Sequence, residues 1–168
     1  MWRHAFTSLN TLIFTNLTPE HIESHGSFEK YREAKLGLAR AVARSWKQNT
    51  KVIANADDKH GPHFLIYNVD QNIPYFEKDA KKIKINIPGE FNKVNALAAA
   101  TFARSIGVSE DNITNALAHL THIPGRVEEI NAGQDFKVVV DYAHTADSLE
   151  KLYKTYKGKK IAVLGSCG

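Results

Sequence analysis

The sequence predicts an α/β protein built on a parallel sheet, and three observations carry that expectation. Short apolar, β-branched runs alternate with longer segments of helical periodicity, as at Thr11 to Thr15, Ser27 to Lys47 and Lys51 to Asn55. Helix starts marked by Thr, Ser and Pro follow soon after the strand ends. Finally, Lys137-Val138-Val139-Val140 runs into Asp141-Tyr142-Ala143-His144-Thr145. An acid, an imidazole and a helix cap then stand where an open sheet presents ligand-binding groups, at the carboxyl end of a strand.

Thr11-Leu12-Ile13-Phe14-Thr15, bounded by Asn10 and Asn16, reads as a buried strand. Thr18 is a good N-cap, Pro19 suits the first helical position and Glu20 complements the helix dipole, so His21 and His25 fall in the loop or short helix leaving that strand. The next helix is expected over Ser27 to Lys47, with Phe28, Tyr31, Leu38 and Val42 as its apolar stripe. Lys35 falls near the centre of that stripe at about 100° per residue. Two readings stand for it. Its stem could cover apolar surface while the ammonium reaches water, or it could be held inward, where apolar neighbours favour the neutral, nucleophilic amine.

Lys51 to Asn55 reads as the next strand, Ala56-Asp57-Asp58 as the turn off its end, and Phe64 to Tyr67 as another strand. Gln71 to Glu90, with Pro74, Pro88 and the alternation Lys82 to Ile87, reads as a loop and an edge strand. An alanine-rich helix follows from Lys93 to Ile106 and stops at Gly107. The next begins with Ser109 as cap and carries Ile113, Ala116, Leu117 and Leu120 on one face. Asn92 and Asn95 at the start of the alanine-rich helix stand out, because Asn is a poor helix-interior residue and capping accounts for only one of them. After Pro124-Gly125 a second unit is expected: a strand over Lys137 to Val140, a helix from Thr145 to Tyr156, and a strand over Lys160 to Leu164. One such crossover does not make a sheet, so the expectation is a fragment, or a core completed by something else.

A chain of 168 residues with 43% apolar residues suits one ordinary domain or two small ones. The net charge of +4 is mild. The basic clusters Lys78 to Lys84 and Lys157 to Lys160 lack interleaved aromatics, which argues against a nucleic-acid surface and leaves room for a phosphate-bearing small molecule. A single cysteine, Cys167, permits no internal disulfide and fits a reducing cytoplasm. No secretory signal and no membrane span are expected, since no apolar run approaches about 20 residues.

His21-Ile22-Glu23-Ser24-His25 places two histidines at helical spacing, but a zinc protease needs Glu where Ile22 stands. A divalent-metal site using Glu20, Glu23 or a modified Lys35 and a solvated loop are both compatible with it. No stretch matches the glycine-rich phosphate loop, a dinucleotide fingerprint or a nucleophile elbow.

Several segments in order resemble the Mur ligases, the ATP-dependent amide-forming enzymes of peptidoglycan precursor synthesis. They are Phe14-Thr15-Asn16-Leu17-Thr18-Pro19-Glu20-His21-Ile22-Glu23-Ser24-His25-Gly26, Tyr31-Arg32-Glu33-Ala34-Lys35, Asn55-Ala56-Asp57-Asp58, Gly89-Glu90-Phe91-Asn92-Lys93-Val94-Asn95 and Pro124-Gly125-Arg126-Val127-Glu128. Asp141-Tyr142-Ala143-His144-Thr145-Ala146-Asp147 is the most discriminating. It is similar to the subgroup that adds a diamino acid to UDP-N-acetylmuramoyl-L-alanyl-D-glutamate, with Ala146 where that subgroup has Pro. Glutamates 20 and 23 replace the family's aspartates, and the stretch between Asp58 and Gly89 is shorter than the subgroup's.

The resemblance implies that residues 1–123 are the C-terminal part of a central ATP-binding domain lacking its phosphate loop. Residues 124–168 would then begin a Rossmann-like C-terminal domain, truncated after its first βαβ. It further implies a magnesium ligand in His21 and a carbamylated Lys35 as an anionic oxygen ligand. Asn92 and Asn95 would contact adenine, Asp141 the ribose hydroxyls, and Arg126 and His144 the phosphates, with Lys35, Arg126 and His144 closest to the chemistry. In the complete enzyme the dipeptide carboxylate would attack the γ-phosphate of ATP, and an amine would then displace phosphate. The chain alone is expected to be inactive, with no nucleic-acid or membrane partner. Two other readings are a non-catalytic nucleotide-binding module and a ligase of the cyanophycin or folylpolyglutamate type.

Overall fold

The structure is a computed structural model and describes residues 7–19 and 22–165. Three strands, β1 (Thr11–Phe14), β2 (Lys51–Asn55) and β3 (Gln71–Tyr75), form a parallel sheet in the order β1-β2-β3. Thr11 is in register with Lys51, and Lys51 with Gln71. The first crossover carries a short helix α1 (Ile22–His25) and the long α2 (Phe28–Ala43), and the second carries the one-turn α3 (Gly61–Phe64). Ser27 caps α2, its side chain accepting from the Lys30 amide.

Central β2 is buried along its whole length and divides its side chains between two cores. Val52 and Ala54 pack with Phe14, Tyr31, Ala39 and Phe64 on the α2 and α3 side, where the Phe14 and Phe64 rings stack with centroids 4.0 Å apart. Ile53 points the other way, into a core with Tyr75, Ile83, Leu97 and Ile113. That second face is covered by α4 (Glu90–Ser105), whose Ala96, Ala98 and Ala100 allow close approach, and by α5 (Glu110–His119). Complete burial of a side chain such as Val52 or Ile53 contributes about 1.5–3 kcal/mol.

The carboxyl ends of the strands are tied by polar side chains. The buried Asn55 amide donates to Glu77 Oε1 at 2.9 Å, while the Asp57 amide donates to Asn55 Oδ1 and the Glu77 amide to Asp57 Oδ2. Asp58 Oδ2 accepts from the Leu17 amide at 3.2 Å, and the Tyr75 hydroxyl donates to the Phe14 carbonyl at 3.3 Å. Burial, then the nearby Glu77 and Asp58 carboxylates, push the Tyr75 phenol up to about 12.

Several expectations are corrected. Phe64 to Tyr67 form no strand: Phe64 closes α3 and Leu65 caps it, because Gly61-Pro62 starts a helical turn against β2. The third strand is Gln71–Tyr75, and Pro74 is tolerated because β3 is paired on one side only, to β2. The alternation over Lys82 to Ile87 buries Ile83 and Ile87 without any ladder, after a 3-10 helix over Glu77–Lys82.

In the second unit β4 (Glu128–Ile130) pairs antiparallel with β5 (Val138–Val140), and α6 (Ala146–Thr155) follows behind a capping box of Thr145 and Ser148. Lys160 to Leu164 form no strand. Among the described residues no neighbour offers that segment a ladder, and Ile161 and Val163 are 98% and 96% exposed.

Candidate functional site

The first wall of the site is the start of α4. Gly89, its N-cap, has φ +101°, a backbone conformation open to glycine, and the helix then places Asn92, Asn95, Ala96 and Ala99 on one face at i, i+3, i+4 and i+7. Asn92 Nδ2 donates to the Pro88 carbonyl at 2.7 Å, which leaves its Oδ1 as the acceptor for a ligand; Asn95 is exposed. Ile87, Phe91, Leu117 and Leu120 make the neighbouring surface apolar.

Facing it is the β5 to α6 connection. Asp141, Tyr142, His144 and Thr145 line the same cleft with Arg126 from the turn before β4. The cleft measures about 650 Å³, within the ~300–1,000 Å³ typical of small-molecule sites. Arg126 lies over the Tyr142 ring, 4.9 Å from guanidinium carbon to centroid, and the Tyr142 and His144 rings meet edge to face at 5.2 Å. His144 Nδ1 is 2.9 Å from the Tyr142 carbonyl, a contact in which the ring N–H donates and Nε2 is left to the cleft. Lys151 adds a second cation beside Arg126 and is paired with Asp147 at 2.7 Å. One end of the cleft is therefore apolar with amide acceptors, the other cationic, the division suited to an aromatic base carrying phosphates.

Asn92, Asn95, Arg126, Asp141 and His144 thus converge on one crevice. Asp141 is more engaged than its sequence context suggests. Its Oδ2 accepts from the Val127 amide at 2.8 Å and its Oδ1 from the Ala143 amide at 2.6 Å. Tyr142, Lys151 and Phe91 join the site without having been singled out. Tyr142 and Phe91 stand inside the quoted motifs, but nothing local shows that Tyr142 carries Arg126, and Lys151 reaches the cleft only through the placement of α6.

Lys35 lies apart from this group and is not among the residues lining the cleft. Its helical phase falls between those of Tyr31 and Ala39, both buried, yet its side chain is exposed, with Nζ 5.4 Å from the Tyr31 ring centroid. The inward reading is corrected: no described element covers this part of the α2 face. His21 and Glu20, the other parts of the expected metal site, lie outside the described residues. Among the described residues, no group of three or more His, Cys, Asp or Glu side chains could hold a metal ion, and no helix is long and apolar enough to cross a membrane.

Residues 3–76 match the Mur ligase middle domain. The UDP-N-acetylmuramoyl-L-alanyl-D-glutamate--2,6-diaminopimelate ligase of Bacillus velezensis is 35% identical over 93% of the chain and 38% of its own length. The UDP-N-acetylmuramyl-tripeptide synthetase of a Roseiflexus species is 33% identical over 99% of the chain and 40% of its length. The chain therefore spans about two fifths of these curated relatives. Among solved structures, MurF from Acinetobacter baumannii shares the fold, with a TM-score of 0.69 and 17% identity over 88% of this chain and 37% of that one. Residues 3–76 are thus similar to the Mur ligase middle domain, and nearly all of the chain is about a third identical to roughly two fifths of relatives named as ligases of that family.

Proposed function

We propose that this chain carries the nucleotide-facing part of an ATP-dependent amide ligase that adds a diamino acid to UDP-N-acetylmuramoyl-L-alanyl-D-glutamate in the cytoplasm. The observation that carries the reading is the convergence of Asn92, Asn95, Arg126, Asp141 and His144 on one cleft with an apolar and a cationic end. A relative that matches 93% of the chain is named for this ligation, with 2,6-diaminopimelate as the diamino acid. Residues 1–123 are assigned to the central ATP-binding domain and 124–168 to the start of the C-terminal ligase domain.

In this reading Ile87, Phe91 and Ala96 receive the adenine face, and Asn92 Oδ1 and the Asn95 amide meet its polar edge. Arg126 and His144 Nε2 face the phosphates, and Asp141 stands beside the ribose. ATP supplies the phosphoryl group: the dipeptide carboxylate displaces ADP to give an acyl phosphate, and the amine then expels phosphate with loss of a proton. Arg126 and His144 neutralise charge growing on the transferred group.

A magnesium ion on His21 and a carbamylated Lys35 belong to the same proposal by family resemblance. The described residues do not assemble that centre, because Lys35 is exposed and His21 lies outside them. A second reading of the same cleft is a nucleotide-binding module without turnover.

Titration of the purified chain with a fluorescent ATP analogue tests the binding, and phosphate release with magnesium, bicarbonate, muramoyl dipeptide and diaminopimelate tests turnover. Binding weakened about tenfold in Asn95→Ala and in Arg126→Ala is expected, the loss of one charged or well-placed hydrogen bond at about 1.4 kcal/mol. Binding unchanged in both variants removes the nucleotide reading of the cleft. Turnover by the chain alone removes the module reading and shows that these residues suffice for the chemistry.

A further inference from the structure

Val127 is a β-branched residue with φ +47°, in the left-handed region such side chains rarely enter, and it is 3% exposed. Only Asn49 shares a positive φ among described non-glycine residues. Backbone strain of this kind persists only where surrounding bonds enforce it. The bonds here are few and identifiable. The Gly125 amide donates to Glu128 Oε2 at 2.8 Å, the Arg126 amide to the Ile123 carbonyl at 2.9 Å, and the Val127 amide to Asp141 Oδ2 at 2.8 Å. The first two are local to the turn. The third joins it to the end of β5, and the other oxygen of the same carboxylate takes the Ala143 amide at 2.6 Å.

One carboxylate therefore fastens two pieces of backbone, one bearing Arg126 and the other the rings beneath it. Arg126 precedes Val127, and Tyr142 and His144 flank Ala143. The Arg126 guanidinium rests on the Tyr142 ring, which meets the His144 ring in turn. Without the bond to Asp141, Val127 would relax to negative φ, rotate the peptide that carries Arg126 and take the guanidinium off Tyr142.

We propose that Asp141 is a positioning residue, holding Val127 in its left-handed turn so that Arg126 stays stacked on Tyr142 at the cationic end of the cleft. The assignment differs from a carboxylate kept free for ribose hydroxyls, since both oxygens already serve backbone amides. Its connection to nucleotide binding rests on the cleft reading above, whereas the brace itself does not.

The test uses the chain with Asp141→Ala, Asp141→Asn, Val127→Gly and the double variant Asp141→Ala/Val127→Gly. Two readouts are taken: the ring-current shift of the Arg126 side-chain protons by NMR, and affinity for ATP. In the parent chain the Arg126 protons should lie upfield, as a guanidinium over a ring requires. Asp141→Ala should abolish that shift. Asp141→Asn should reduce it, because an amide offers one acceptor oxygen where two are used, and this milder change serves if Asp141→Ala does not fold. Glycine accepts positive φ without the brace, so the double variant should regain most of the shift and of any affinity lost. An Arg126 shift unchanged in both Asp141 variants overturns the proposal, as does a double variant no better than Asp141→Ala. If the parent chain shows the shift but binds no ATP, the nucleotide reading fails while the brace stands.

Discussion

Gly61 is required by space, and its replacement gives the sharpest test of how α3 is seated on the sheet. A Cβ added there would lie 1.8 Å from the Asn55 carbonyl oxygen and 2.8 Å from its carbonyl carbon, the first of them 1.2 Å inside the 3.0 Å below which such contacts essentially never fall. Both atoms are backbone of the buried central strand, so no side chain can swing away. Either β2 gives up its alignment with β3 at Asn55 and Tyr75, or α3 lifts and takes Phe64, 2% exposed, off its stack with Phe14. Overpacking of a well-filled core costs about 1–3 kcal/mol. A backbone clash on this scale belongs at or above the top of that range, so Gly61→Ala should cost about 3 kcal/mol or more, against a total stability of roughly 5–15 kcal/mol for an ordinary domain. Urea unfolding followed by circular dichroism reads the change as a lowered midpoint. Gly37→Ala is the control: it lies inside α2, its Cβ would meet only the end of the Arg40 side chain at 3.8 Å, and helix propensity gives an expected gain of about 0.5–1 kcal/mol. A Gly61→Ala midpoint within about 0.5 kcal/mol of the parent would refute the seating of α3 against Asn55.

At Gly89, φ +101° and a Cβ position 2.7 Å from the Phe91 ring make Gly89→Ala both strained and displacing, so ligand affinity in the cleft should fall together with about 1–2 kcal/mol of stability, checked by nucleotide titration beside urea unfolding. Thr145→Ala removes the acceptor for the Ser148 amide and should cost about 1 kcal/mol, read in the same unfolding assay, with Thr145→Ser largely neutral. Tyr75 ionises near pH 10 when unfolded but only near 12 when folded, so the stability it adds is complete below pH 10 and is lost as pH rises from 10 to 12. Between pH 9 and 11 the parent should therefore lose about 1 kcal/mol more than Tyr75→Phe, and equal losses in the two would show that the phenol is not held neutral by its burial.

Features written in a few neighbouring residues were legible in the sequence. Ser109 and Thr145 each cap the helix expected after them, because a cap needs only its own side chain and the next turn. β1 and β2 were legible as short apolar runs. Elements decided by neighbours were not. Phe64 to Tyr67 is apolar enough for a strand, but Gly61 and Pro62 commit the chain to a helical turn. Pro74 made β3 look like a loop, although its missing N–H matters little on a strand paired at one side. Lys35 had the right phase and the wrong burial, since phase gives a direction and says nothing of what lies there. The membership of the site was readable through the motifs that hold Asn92, Asn95, Arg126, Asp141 and His144. The demand that Val127 places on Asp141 was not, because it follows from a backbone angle set by long-range contacts.

The side chains that close the carboxyl edge of the sheet have a consequence for how the molecule opens. Asp58 holds the Leu17 amide, Asp57 holds the Glu77 amide, and Asn55 holds both the Asp57 amide and the Glu77 carboxylate, so the segments leaving all three strands share one set of bonds. None of these segments can fray alone. In hydrogen exchange the amides of Leu17, Asp57 and Glu77 are expected to behave as a single cooperative unit with the buried strand β2, exchanging only in the larger openings that expose it, although each stands in a loop where isolated backbone would exchange within a small local fluctuation.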